Sequence, residues 1–219
     1  MKSDMKHSVR LIVLHSTKLG EKSLVIHCLS QQYGRRSFIC TAGRSSAALV
    51  QPLSILNAEV TENPKSELWR AGSLSAVHPL TSLRTDLYKN SIALFISEVL
   101  YRTIKDGANE DGLADWCEKS IVTLEDLPGA PGNFHLRWLL EFAGALGFSP
   151  STEDIAPFAG TQLSHIGQLL SLPYAECLLL PLSGRDRSEI AECLLKYISC
   201  HTESSINIKS LKVLQEILR

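Results

Sequence analysis

The chain has 219 residues, 44% of them hydrophobic and 21% charged, with a formal net charge of −1. That usage is ordinary for globular domains and excludes a disordered or collagen-like chain, and the length suits one large domain or two small ones. The longest nearly apolar stretches, around Leu11–Leu14 and Cys177–Leu182, fall far short of the about 20 residues a membrane helix needs, and the polar segment Met1–Arg10 lacks the apolar core of a signal peptide, so a cytoplasmic chain without a membrane partner is expected.

The first part reads as strands. Val9–Leu14, Ser23–Leu29, Arg36–Thr41 and Leu53–Val60 are short runs of β-branched and apolar residues. The turns Leu19-Gly20-Glu21, Tyr33-Gly34-Arg35 and Ala42-Gly43-Arg44-Ser45-Ser46 separate them. Leu56, Ala58 and Val60 alternate with Asn57 and Glu59, as a strand with one buried face requires. A fifth strand is expected over Glu67–Ala71, after an Asn63-Pro64 turn. Five short strands in so few residues suit a small barrel.

From Ser82 onward the period changes. Ile92, Phe95, Ile96, Val99, Leu100 and Ile104 form one helical stripe, and Phe134, Trp138, Leu139, Phe142 and Leu146 form another that ends at Gly147 with Pro150 beyond. Weaker patterns predict helices over Leu113–Leu124, Gln162–Leu170 and Ser188–Ser199, the last capped by Asp186 with Glu189 three residues on, and a final helix over Ile208–Leu218. The fold class expected is α+β: an N-terminal OB-like five-stranded β-barrel over residues 1–80, then an all-α C-terminal domain over 81–219.

Charge is divided unevenly. Residues 1–80 hold 10 Lys and Arg against 5 Asp and Glu, whereas residues 81–219 hold 12 against 18. Such asymmetry suggests that the first part meets a polyanion. The candidate cations, Lys18, Lys22, Arg35, Arg36 and Arg44, sit in or beside turns, with Lys6 and Arg10 as extensions; a barrel that gathers its turns at one end would put them on one surface. Tyr33 is the ring best placed for base stacking, Trp69 lies on the expected fifth strand, and Phe38 shares a strand face with Cys40 and reads as core. In the helical part Arg84, Lys89, Arg102 and Arg137 lie near apolar stripes; Arg102 and Arg137 are the choices for holding an acidic peptide that ends in a hydrophobic residue.

No enzyme pattern emerges. Gly-x-Ser-x-Gly, phosphate-binding-loop and His-Glu-x-x-His signatures are absent from the sequence. His27 and Cys28 are neighbours on one strand, so their side chains face opposite ways. Cys200-His201 reads as loop. None of the six cysteines forms a Cys-x-x-Cys pair, and they read as small buried hydrophobes rather than metal ligands. No catalytic residue, metal or cofactor is expected.

The sequence also resembles the RecO family of bacterial recombination mediators. The resemblance rests on Val13-Leu14-His15-Ser16-Thr17-Lys18-Leu19-Gly20-Glu21-Lys22-Ser23, on Tyr33-Gly34-Arg35-Arg36-Ser37, and on Gly43-Arg44 followed by Leu49-Val50-Gln51-Pro52-Leu53. It continues in order through Ser82–Leu87, Glu98–Arg102, Asn133–Arg137, Leu146-Gly147-Phe148-Ser149-Pro150, Leu194–Ile198 and Ile208–Leu214. The resemblance implies binding of single- and double-stranded DNA, annealing of complementary strands, and action with RecR to load RecA onto gaps coated by single-stranded-DNA-binding protein, whose acidic tail is engaged. It implies a cytoplasmic, nucleoid-associated protein. An adaptor that keeps the fold without binding DNA is the alternative. Many family members carry a four-cysteine zinc site after the Gly-Phe-x-Pro segment; here Ser149–Asp154 contains no cysteine, so that site is not expected.

Overall fold

A computed structural model describes residues 6–63, 65–129 and 132–218, with the side chains of 44–46 outside the description. Five strands, β1 (Lys6–Leu19), β2 (Ser23–Ser30), β3 (Gly34–Thr41), β4 (Ile55–Thr61) and β5 (Leu68–Ala76), close into a barrel in the order β1-β2-β3-β5-β4. All neighbours are antiparallel except β3 and β5. This is the OB-like barrel expected from the sequence. β1 is longer than its apolar core suggested. Its first part pairs with β4 and its second with β2, with a bulge between Val13 and His15 that lets one strand serve both neighbours.

Alternation explains the interior. Val9, Leu11 and Val13 of β1, Leu24, Ile26 and Cys28 of β2, Phe38 and Cys40 of β3, and Leu56, Ala58 and Val60 of β4 form one buried cluster. Each is every second residue of its strand, so one face of every strand points inward. Full burial of such a side chain is worth about 1.5–3 kcal/mol. Phe38 is core, as expected, and Cys28 faces inward while His27 faces out. A short helix that the sequence did not announce, α1 (Arg44–Leu49), joins β3 to β4 and contacts β5. The Pro64 of the expected Asn63-Pro64 turn lies outside the described residues.

The helical part comprises α2 (Thr81–Thr85), α3 (Leu87–Thr103), α4 (Leu113–Asp126), α5 (Phe134–Ala145), α6 (Thr152–Ala159), α7 (Leu163–Ser171), α8 (Tyr174–Leu179), α9 (Gly184–His201) and α10 (Ser210–Ile217). The chain divides into two compact units: residues up to Thr81 with Ile104–Ile121, and Ser82–Thr103 with the chain from Val122 onward. The units therefore differ from a linear division at 80/81 in that 104–121 belong with the barrel. Among the described residues no helix is long and apolar enough to cross a membrane.

In the second unit α3 packs on α10 and α5 on α9. The helix starts are set by side chains. The Glu98 carboxylate accepts from the Lys209 and Ser210 backbone N–H groups (3.1 and 2.8 Å) and from Ser210 Oγ (2.6 Å), which places a negative charge at the start of α10. Both oxygens of Glu125 accept from Ser82 and Leu83 N–H groups (2.8 Å each) at the start of α2. At α9 the cap is Ser183, in a capping box with Asp186 three residues on; Asp186, expected as the cap itself, lies one turn further in. Cys200 and His201 form the last turn of α9 rather than a loop, and Cys200 is exposed, unlike the other five cysteines.

Residues 148–154, where the sequence carries no cysteine, are held by packing and capping. Phe148 stacks on His201 (centroids 4.9 Å apart), its carbonyl accepts from Tyr197 Oη (3.2 Å), and Ser151 forms a capping box with Asp154 at the start of α6. Among the described residues no three His, Cys, Asp or Glu side chains gather as metal ligands.

Candidate nucleic-acid interface

Consecutive hairpins put their turns at opposite ends of the shared strand. β2 links the Gly20–Lys22 turn to the Gln31–Tyr33 turn, and its seven residue steps separate them by about 23 Å at about 3.3 Å per residue. The five candidate cations therefore do not share one end of the barrel. Lys18 and Lys22 flank the first turn, and Gly43-Arg44 follows close by, because the Ala42 N–H donates to the Lys22 carbonyl (2.9 Å). Arg35 and Arg36 sit at the other end, at the start of β3.

The two sets also differ in what their side chains do. Lys18 and Lys22 are exposed and their ammonium groups make no hydrogen bond or ion pair among the described residues. The Arg44 side chain lies outside the described residues. Beside this end, Cys40–Gly43, Leu49 and Ala71–Leu74 line an open cleft of about 290 Å³. It forms where β3 and β5, paired from Ser37↔Leu68 to Ile39↔Arg70, stop pairing.

At the far end Arg35 holds a loop. Its backbone N–H donates to the Ala108 carbonyl (2.9 Å), its carbonyl accepts from the Gly107 N–H (2.8 Å), and its guanidinium donates to the Ile104 carbonyl. The loop lies so close to the β2–β3 turn that a Cβ on Gly34 would stand 2.0 Å from the Ala108 oxygen; Gly34 also has φ +60, so glycine is required twice over. On the outer barrel face next to Arg35, His15 and His27 stack with centroids 5.9 Å apart, and His27 Nδ1 lies 2.8 Å from Ser37 Oγ. Burial, then Arg35 and His15, hold the His27 imidazole below its ordinary range.

Arg36 points the other way, toward the barrel mouth. Its guanidinium carbon lies 4.0 Å from the centre of the Trp69 ring. Tyr33 meets the same indole edge-on at 5.0 Å and donates its hydroxyl to Glu62 (2.9 Å). The β3–β5 register, Phe38↔Trp69, assembles this group, and it brings acids with it: Glu62 beside Tyr33, and Glu67 and Asp106 around Arg36. Trp69 was visible on its strand, but its contact with Arg36 depends on a parallel pairing across the β4 connection that no local pattern reveals. Of the two proposed extensions, Lys6 pairs with Glu59 (3.5 Å) and Arg10 with Glu118 (2.8 Å).

In the helical unit the candidate cations are also unequal. Lys89 is only 3% exposed and its ammonium donates to the Glu125 carbonyl (2.6 Å), so it closes the end of α4. Arg137 donates to the Leu169 carbonyl and to Glu141 (2.8 Å each) and lies against Cys177 Sγ. Near it, buried Asn133 donates to the Cys177 and Leu180 carbonyls and accepts from Arg187 Nε, which explains the Asn133–Arg137 motif as a clamp on α8. Arg102 is exposed at the end of α3, 4.0 Å from Glu98. The Glu98 carboxylate is opposed by burial, yet the Ser210 and Lys209 hydrogen bonds and Arg102 outweigh that and hold it below the usual carboxylate range.

Comparison with known proteins agrees with this architecture. The family profile described as Recombination protein O N terminal matches residues 5–81, and that described as Recombination protein O C terminal matches residues 84–156. The DNA repair protein RecO of Phocaeicola vulgatus is 30% identical, with 94% of this chain and 96% of the relative covered. That of Bacteroides fragilis is 31% identical with the same coverage, and that of Flavobacterium johnsoniae is 29% identical over 97% of this chain and 99% of its own. A barrel of this topology, the helical remainder and similarity to these relatives over nearly the whole length lead to one conclusion: the chain belongs to the DNA repair protein RecO family.

Proposed function

We propose that this chain is a DNA-binding recombination mediator. A role in DNA repair and recombination comes with the family. The finer reading is that it binds single- and double-stranded DNA, anneals complementary strands, and with RecR helps load RecA onto gaps coated by single-stranded-DNA-binding protein, engaging that protein's acidic tail. The observation that carries this is the similarity to RecO proteins along almost the entire chain. The role requires no bond made or broken by the protein and no cofactor, and it is a cytoplasmic, nucleoid-associated one.

Phosphate contacts supply most of the affinity in such binding, through counterion release. The exposed pair Lys18 and Lys22, with Arg44 brought near by the Ala42 N–H bond to the Lys22 carbonyl, is the first choice for these contacts. Tyr33 and Arg36 form a second, aromatic contact at the other barrel end, where Arg35 acts by positioning its loop. For the acidic tail, Arg102 is held by one long ion pair to Glu98, whereas Arg137 would have to leave three existing partners.

Fluorescence anisotropy with a labelled single strand across a salt series tests this. The wild type should bind with a steep salt slope, and Lys18→Ala with Lys22→Ala should reduce that slope by roughly two phosphate contacts. A wild type with no salt-sensitive affinity at low ionic strength would refute DNA binding. The adaptor reading would then lead, favoured by the commitment of Arg35 to the Ile104 carbonyl and of Arg36 to Trp69.

A further inference from the structure

At the Arg36 end of the barrel a cavity of about 110 Å³ is bounded by Arg36, Glu67, Asp106 and Gly107. Its charges are not neutralised locally. Among the described residues no ion pair joins Arg36 to Glu67 or Asp106, both of which are exposed. The Arg36 Nε is buried and without an acceptor among the described residues, so a ligand meets the guanidinium through the part of it that lines the cavity. The Trp69 ring beneath the guanidinium fixes the plane in which its donors are presented.

From this arrangement we infer that the cavity receives the edge of an unpaired guanine base in single-stranded DNA. The inference rests on the DNA-binding reading above. A guanidinium fork matches the O6 and N7 acceptors of guanine. The N1–H and N2 amino group are adjacent donors, which is what a carboxylate accepts side by side. The other bases fail on the acidic side of the cavity. Thymine flanks its single imino donor with carbonyls, and the amino groups of adenine and cytosine sit next to a ring nitrogen acceptor that would face Glu67 or Asp106. The volume is below the about 300–1,000 Å³ of pockets that hold whole drug-sized ligands, so it admits a base edge and not a nucleotide. The two carboxylates repel phosphate and keep the sugar–phosphate backbone outside.

The test uses the full chain and anisotropy at fixed low salt, with three strands of equal length: oligo-dT, oligo-dT with one central guanine, and the same with inosine, which lacks the N2 amino group. The guanine strand should bind at least about fivefold tighter than oligo-dT, with inosine in between. Glu67→Gln with Asp106→Asn, exposed and nearly isosteric changes, should abolish that preference and leave oligo-dT binding in place. Equal binding of the three strands overturns the inference but leaves DNA binding intact, and so does a preference that survives in the variant. A strand-indifferent protein saturated by guanosine monophosphate would assign the cavity to free nucleotide and overturn the strand. If no strand binds at all, the DNA reading falls and this inference with it.

Discussion

The two ends of the barrel carry the same kind of sequence, a turn with basic residues, and use it differently. At the Gly20–Lys22 turn the cations stand in water with no partner among the described residues. At the Gln31–Tyr33 turn Arg35 is tied to the Ile104 carbonyl and Arg36 rests on Trp69. An exposed ammonium keeps its hydration and adds almost nothing to stability, yet remains available to a phosphate. A partly desolvated guanidinium is held by its neighbours, Arg35 by the Ile104 carbonyl and Arg36 by the Trp69 ring, even though the buried Nε of each has no acceptor among the described residues. The helical unit repeats the contrast with Lys89 and Arg137 on one side and Arg102 on the other.

The contrast breaks most directly at Gly34. Gly34→Ala forces a Cβ into the Ala108 carbonyl at positive φ, and the chain should lose about 3 kcal/mol in urea unfolding. Retention of wild-type stability would mean that the 105–109 loop is not bound to the turn. A charge kept out of a core gives the next effect. His135 is fully buried, and burial, then Arg187, push its imidazole down to about 3. The unfolded chain takes up that proton near pH 6.5 and the folded one does not, so stability is whole above about 6.5. It should fall by up to about 1.4 kcal/mol per pH unit from there toward 3. His135→Leu should flatten the slope; an unchanged slope would assign it to other groups.

Arg35→Ala, which removes a charged donor from the Ile104 carbonyl, should cost about 2 kcal/mol and weaken protection of the 105–109 amides from hydrogen exchange. The smallest expected effect belongs to the exposed end. Lys18→Ala with Lys22→Ala should change stability by less than about 0.5 kcal/mol while altering the salt dependence of DNA binding. If that pair proves destabilising and Arg35→Ala does not, the division of labour between the two ends is the reverse of the one described.

Much of this molecule was legible as sequence. Period-two runs located the strands, helical stripes located α3 and α5, and both rest on local burial patterns that tertiary structure rarely overrides. The short helices α1, α6 and α8 went unseen and α2 was marked only by the family resemblance, since five to eight residues hold too little periodicity to register. The Asp186 cap fell one turn late, because Ser183 and Asp186 are both good cap residues and only backbone geometry separates N-cap from N3.

What the sequence determined by itself was a barrel followed by helices, a basic first part and a family resemblance, because composition, period and colinear motifs are properties of the chain. Which cations are available was decided only in three dimensions. The hairpin connection places Lys22 and Arg35 at opposite ends of β2. The parallel β3–β5 pairing sets Trp69 beneath Arg36, and the return of residues 104–121 to the barrel covers Arg35. A charged side chain reads the same in sequence whether water or a carbonyl solvates it, and only its neighbours in space settle which.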